Sequence, residues 1–132
     1  MEATSSSRHN CGDDTRDGPV LLLKEDCMAW ILLVVAGLLE IVWAFTMKLS
    51  QGFTRPGPSI VTLLAMLVSF ALLSASMRML PLGTAYTVWT GIGAVGAFVV
   101  GVVVLGESVN TARVLAALLI VSGLILMKVS TA

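Results

Sequence analysis

"GLLEIVWAF", Gly37 to Phe45, lies inside a long apolar stretch and carries a single acid, Glu40. From Met28 to Leu49 the only other charge is Lys48, close to the end. A bilayer hydrocarbon core of about 30 Å is crossed by roughly 17–25 helical residues, and this run has that length. Further apolar runs follow at 59–77, 85–105 and 114–127. The last reaches spanning length when the flanks 111–113 and 128–130 snorkel toward water. The chain is 57% hydrophobic and only 12% charged, with mean hydropathy +0.95. A soluble domain is nearer 45–50% apolar and about 25% charged. The pattern predicts an all-α integral membrane protein with four transmembrane helices, over about 29–49, 58–77, 84–105 and 111–129.

The connections are short. "SQGFTRPGPS" (50–59) carries Gly and Pro punctuation, "RMLPLG" (78–83) holds Pro81, and "GESVN" (106–110) turns into the fourth span. Loops this tight make successive spans antiparallel neighbours, up-down-up-down. They leave no extramembrane domain for an enzyme, and no phosphate-cradling loop appears. With net charge zero, no nucleic-acid partner is expected; the lipid bilayer is the surroundings this composition fits.

Residues 1–27 differ in kind from the four-span unit, 28–132. They hold six of the eight acids and three of the eight basic residues, with much Ser, Thr, Asn and Gly. Such a segment cannot bury enough apolar area to fold alone. Its one apolar patch, Val20 to Leu23, is too short for a signal peptide. It reads either as a disordered cytoplasmic tail or as residues ahead of a functional start at Met28. Cys11, Cys27 and the lone histidine, His9, all fall here. Their spacing matches no metal site, so neither a metal nor a cofactor is expected.

Lys and Arg in short loops orient a membrane protein. From Met28 onward, Lys48, Arg55 and Arg113 fall on one side and Arg78 and Lys128 on the other. That is almost no bias, and such a core can insert either way round. Arg8, Arg16 and Lys24 would add to the second side.

A charged side chain at the bilayer centre costs about 2.5–3.5 kcal/mol on insertion scales. Glu40 must therefore hold a proton or pair with a cation, and a group that can do either can exchange one for the other. The plainer alternative is a protonated structural glutamate bonded to a neighbouring helix. Positions three and four apart share a helix face, so Gly37, Glu40, Trp43 and Met47 form one stripe. Trp43 is too deep for an interfacial belt, whereas Trp30 at the edge suits one. The Trp43 indole could donate to the Glu40 carboxylate, and its ring could flank a cation.

In "GTAYTVWTGIGAVGAF" (83–98), Tyr86 and Trp89 are three apart, so their phenol and indole tips are expected to face the same way, toward Glu40. Packing and membrane anchoring are the alternative for Tyr86. Gly93, Ala97 and Gly101 place small residues at four-residue spacing, which suits close helix packing or a hinge. Ser69, in the middle of span two, could bond Glu40 or its own backbone. Span four lacks an acid, and its Ala112, Ala116, Ser122 and Gly123 suggest a dimerisation face. Glu107, in the turn before it, reads as solvated.

These stretches resemble a known family, the small multidrug resistance transporters. "GLLEIVWAFTMKLSQGFTRPGPS" and "LPLGTAYTVWTGIGAVGAFVVGVVVLGE" are similar to its guanidinium exporter (SugE-type) branch, and the similarity covers 28–132 but not the tail. The resemblance implies an antiparallel homodimer in the bacterial inner membrane, multi-pass and not an enzyme. The two Glu40 carboxylates would share one site that alternately takes protons or guanidinium-type cations. Gly37, Trp43, Ser69, Tyr86 and Trp89 match the lining of that site. The rival readings are a broader exporter of quaternary ammonium cations and a non-transporting membrane assembly or chaperone-like protein. The latter leaves Glu40 and its aromatic neighbours without a reason.

Overall fold

The structure is a computed structural model that describes residues 18–131. Four α-helices follow in order: α1 (Gly18–Leu49), α2 (Pro56–Ser76), α3 (Leu82–Val103) and α4 (Thr111–Thr131). Each contains a segment long and apolar enough to cross a membrane, of 27, 21, 22 and 20 residues respectively. The all-α, four-span reading of the sequence agrees with this.

The helix bounds of α2, α3 and α4 lie within two residues of the expected spans, but the start of α1 differs by much more. The sequence reading put a boundary after residue 27, yet the helix crosses it and begins at Gly18. Nothing after Pro19 breaks a helix, and a proline in the first turn forfeits no backbone bond. At 1.5 Å per residue, 32 residues make a rod of about 48 Å, longer than the hydrocarbon core. The turn bearing Lys24, Glu25 and Asp26 is exposed, and its charges favour water over hydrocarbon. The tail reading of residues 1–17, with His9 and Cys11, lies outside the described residues.

α1 ends in an unusual turn. Gln51, Gly52 and Phe53 all take positive φ, at 50°, 75° and 64°, a region costly for the two non-glycine residues. Buried Ser50 holds the turn together. Its hydroxyl donates to the Met47 carbonyl at 2.6 Å and accepts the Phe53 N–H at 3.1 Å. Its carbonyl accepts the N–H groups of Thr54 at 3.0 Å and Arg55 at 3.2 Å. At the other end of the bundle, Pro81 precedes α3. The Asn110 carboxamide oxygen accepts the Arg113 N–H at 2.9 Å, a side-chain cap for the first turn of α4.

α1 packs against both α2 and α3, whereas α4 packs mainly against α3 and reaches α1 where the Lys128 ammonium lies 5.3 Å from the centre of the Trp30 ring. The core joins Leu33 and Ala36 of α1, Leu73 of α2, and Ala85, Val88 and Trp89 of α3. α1 and α3 meet closely because small residues sit where the backbones approach. Gly37 lies under Ile92, whose Cγ2 would stand 2.8 Å from any added Cβ, and Gly96 lies under Ile41. Thr46 and Thr62 share a hydroxyl hydrogen bond of 2.7 Å between α1 and α2. No described residue of α4 is buried, and large apolar side chains such as Leu119 lie open along it.

Candidate functional site

Glu40 lies near the middle of the apolar part of α1 and faces α3. Its half-buried side chain rests on Gly93, where an added Cβ would overlap the carboxyl group. Only a glycine lets the carboxyl sit against the α3 backbone. Glu40 Oε2 and the Trp43 indole nitrogen are both buried and have no hydrogen-bond partner among the described residues. A polar atom left so inside apolar surroundings costs about 1–3 kcal/mol. Two of them, one turn apart, leave unused hydrogen-bonding capacity at one place on α1.

The expected Trp43–Glu40 hydrogen bond is therefore not made. The stripe predicted on α1 does form its deep half: Gly37 is buried against α3, and Glu40 and Trp43 follow it, each partly buried.

Ser69 does not bond Glu40, nor its own helix. Its hydroxyl donates across to the Ala36 carbonyl on α1 at 2.7 Å and accepts the Trp89 indole N–H at 3.1 Å. This corrects both expected partnerships, because the Trp89 donor is used on Ser69 rather than aimed at Glu40. The physical reason is burial. Ser69 is 0% and Trp89 6% exposed, and enclosed polar groups satisfy one another. In an α-helix the Ala36 carbonyl also accepts the amide of the residue four on, which is Glu40. The chain Trp89–Ser69–Ala36 thus ties all three helices together at the backbone turn that carries the glutamate.

Tyr86 and Trp89 diverge rather than face the same way. Trp89 points into the three-helix core and Tyr86 is 53% exposed. Their rings still touch, with centroids 5.6 Å apart, and Phe70 of α2 meets Trp89 edge-on at 5.7 Å. Tyr86 also lines a groove of about 490 Å³ between α3 and α4, with Thr87, Thr90, Gly91 and Gly123. Glu40 is not part of that groove.

Gly93, Ala97 and Gly101 do share the face toward α1. Gly93 meets Glu40, while Ala97 and Gly101 line a cleft with Ala44 and Lys48. Three features escaped the sequence reading. They are the Ala36 carbonyl, the seat of Ile41 on Gly96, and Glu107, which lies against Gly101 and pairs with Arg113 at 3.4 Å. The four-residue step from Ala36 to Glu40 and the two such steps from Gly101 back to Gly93 were the available signals. No group of three His, Cys, Asp or Glu gathers among the described residues.

The model of the family described as Small Multidrug Resistance protein matches residues 28–130. A guanidinium exporter from Citrobacter freundii is 60% identical over 104 residues, 79% of this chain and 99% of the relative. One from Salmonella typhimurium shows the same identity and coverage. A guanidinium exporter from Escherichia coli strain K12 is 58% identical over the same length and the same shares of the two chains.

Proposed function

The chain belongs to the Small Multidrug Resistance family, as a multi-pass membrane transporter rather than an enzyme, and from that premise we propose that it exports guanidinium and small guanidinyl cations in exchange for protons. The observation that carries this is the Glu40 carboxyl seated on Gly93 inside the membrane, with a buried oxygen unbonded. The names of the relatives support the choice of cation.

The chemistry follows from the residues. A guanidinium offers a carboxylate two parallel hydrogen bonds and a flat face for aromatic rings. Trp43, one turn from Glu40, supplies such a ring, and its free indole N–H can steady the carboxylate. A proton and a cation cannot comfortably share one carboxyl group, so each expels the other. Protons running down their gradient then carry the cation out.

The working unit in this reading is an antiparallel homodimer in the bacterial inner membrane, with the two Glu40 side chains in one central site. The open α4 and the three-to-two split of Lys and Arg from Met28 onward support it. The test is proton release from proteoliposomes on adding guanidinium or tetraethylammonium. Guanidinium should drive the larger flux, because a tetraalkylammonium has no N–H donor for the carboxylate. The reverse order would assign the chain to broader quaternary ammonium export.

A further inference from the structure

Where α1 and α3 meet, each presents residues four apart: Glu40, Ala44 and Lys48 on α1, and Gly93, Ala97 and Gly101 on α3. The Glu40 carboxyl lies on Gly93 at one end of this seam. A second carboxylate lies at the other. An added Cβ on Gly101 would stand 3.1 Å from Glu107 Cδ and 3.2 Å from each of its oxygens. The two glycines are about 12 Å apart along α3, at 1.5 Å per residue. At the Gly101 end lies a cleft of about 170 Å³, lined by Ala44, Lys48, Ala97, Gly101 and Glu107 among others and stopping one turn short of Gly93.

The group that already meets Glu107 is itself a guanidinium. Arg113 Nη2 lies 3.4 Å from Glu107 Oε2, and its Nη1 donates to the Ser108 carbonyl at 2.7 Å. The guanidinium carbon stands 5.7 Å from the centre of the Phe98 ring. A carboxylate, a carbonyl and an aromatic face together hold the same chemical group that the cation carries. The pair is open, with side chains 43% and 39% exposed, and exposed ion pairs are weakly held. A free cation can therefore take the place of Arg113. Among the described residues, Glu107 is also the one carboxylate at this end, beside Lys48, Arg55 and Arg113. The end as a whole is positive, so a cation is held there only by direct contact with the Glu107 carboxylate, in place of Arg113.

We propose that Glu107 forms a waiting site for guanidinium-type cations at the mouth of the α1–α3 cleft, with Arg113 as a tethered occupant that gives way to the cation on its path to or from Glu40. This rests on the guanidinium reading above.

The test is guanidinium-driven proton release by the full chain in proteoliposomes, titrated with guanidinium at low and high salt. Glu107→Gln should raise KM roughly two- to five-fold with kcat little changed, the scale of an exposed ion pair. Arg113→Gln should lower KM, since it removes the competitor. Glu107→Asp should stay near the wild type. High salt should shrink the Glu107→Gln effect. The opposite signs are decisive, because a pair that merely staples the turn would move both variants together.

Changes in the same direction, or none in either variant, would overturn the waiting site while wild-type flux kept the guanidinium reading intact. If Glu107→Gln fails to insert, an unchanged or raised KM in Arg113→Gln overturns it alone. A wild-type chain without guanidinium flux would overturn both.

Discussion

Replacing Ser69 by alanine removes one hydroxyl that serves two helices at once. It is wholly buried, donates to the Ala36 carbonyl at 2.7 Å, and accepts the Trp89 indole N–H at 3.1 Å. The two losses are unequal. The Ala36 carbonyl keeps the helical bond from the Glu40 amide, so losing the hydroxyl costs it little. The Trp89 N–H, 6% exposed, is left with no partner in a low-dielectric core. An unsatisfied buried donor costs about 1–3 kcal/mol, and that sets the expected loss of stability. Denaturant unfolding of the helical signal in detergent micelles would measure it. Ser74→Ala is the control: Ser74 is exposed on the same helix, and such changes stay within about 0.5 kcal/mol. Trp89→Phe removes the donor itself, so after it Ser69→Ala should cost less than it does in the wild type. Full additivity of the two changes, or a Ser69→Ala loss no larger than that of Ser74→Ala, would refute the three-helix tie.

Gly93→Ala drives a Cβ into the space of the Glu40 carboxyl. Overpacking of this kind costs about 1–3 kcal/mol of stability, and the displaced carboxyl should bind guanidinium more weakly when measured by calorimetry; unchanged binding would mean that the carboxyl does not work from this seat. If protons and cations exchange at Glu40 as proposed, lowering the pH, which raises proton concentration, should weaken guanidinium binding. A flat affinity as the pH is lowered through neutrality would contradict exchange at one group. A chain begun at Met28, carrying a C-terminal cysteine, should be labelled from both sides of the membrane in intact cells, given the near-even Lys and Arg split. Restoring residues 1–27, with Cys11 and Cys27 replaced, adds Arg8, Arg16 and Lys24 to the C-terminal side and should reduce labelling from outside. One-sided labelling of the Met28 form would rule out a self-paired antiparallel dimer.

Much of the site was legible because a membrane makes exceptions conspicuous. Four apolar runs of spanning length leave few alternatives to four helices, and a lone Glu40 within one of them asks for a cation or a proton. Spacing also placed Gly93, Ala97 and Gly101 on one face correctly. What spacing cannot convey is how far each helix turns toward its neighbours. Tyr86 and Trp89 are three residues apart, which leaves about 60° between their directions. That was enough to send Trp89 into the core and Tyr86 outward. Ser69 likewise sits mid-span in any rotation of α2, and only packing against α1 decides that it meets the Ala36 carbonyl rather than Glu40. The first residue of the helix α1 was not legible, for a different reason. Composition changes sharply at Cys27, but polar residues do not stop a helix, and nothing after Pro19 does.

Proton release from proteoliposomes containing the wild-type chain or Glu40→Gln, on adding guanidinium, tests the central claim most directly. The amide keeps the shape of the side chain but cannot trade a proton for a cation. The account predicts guanidinium-driven proton flux in the wild type and none in Glu40→Gln, with the variant inserted and assembled as before. Undiminished flux in that variant would contradict it.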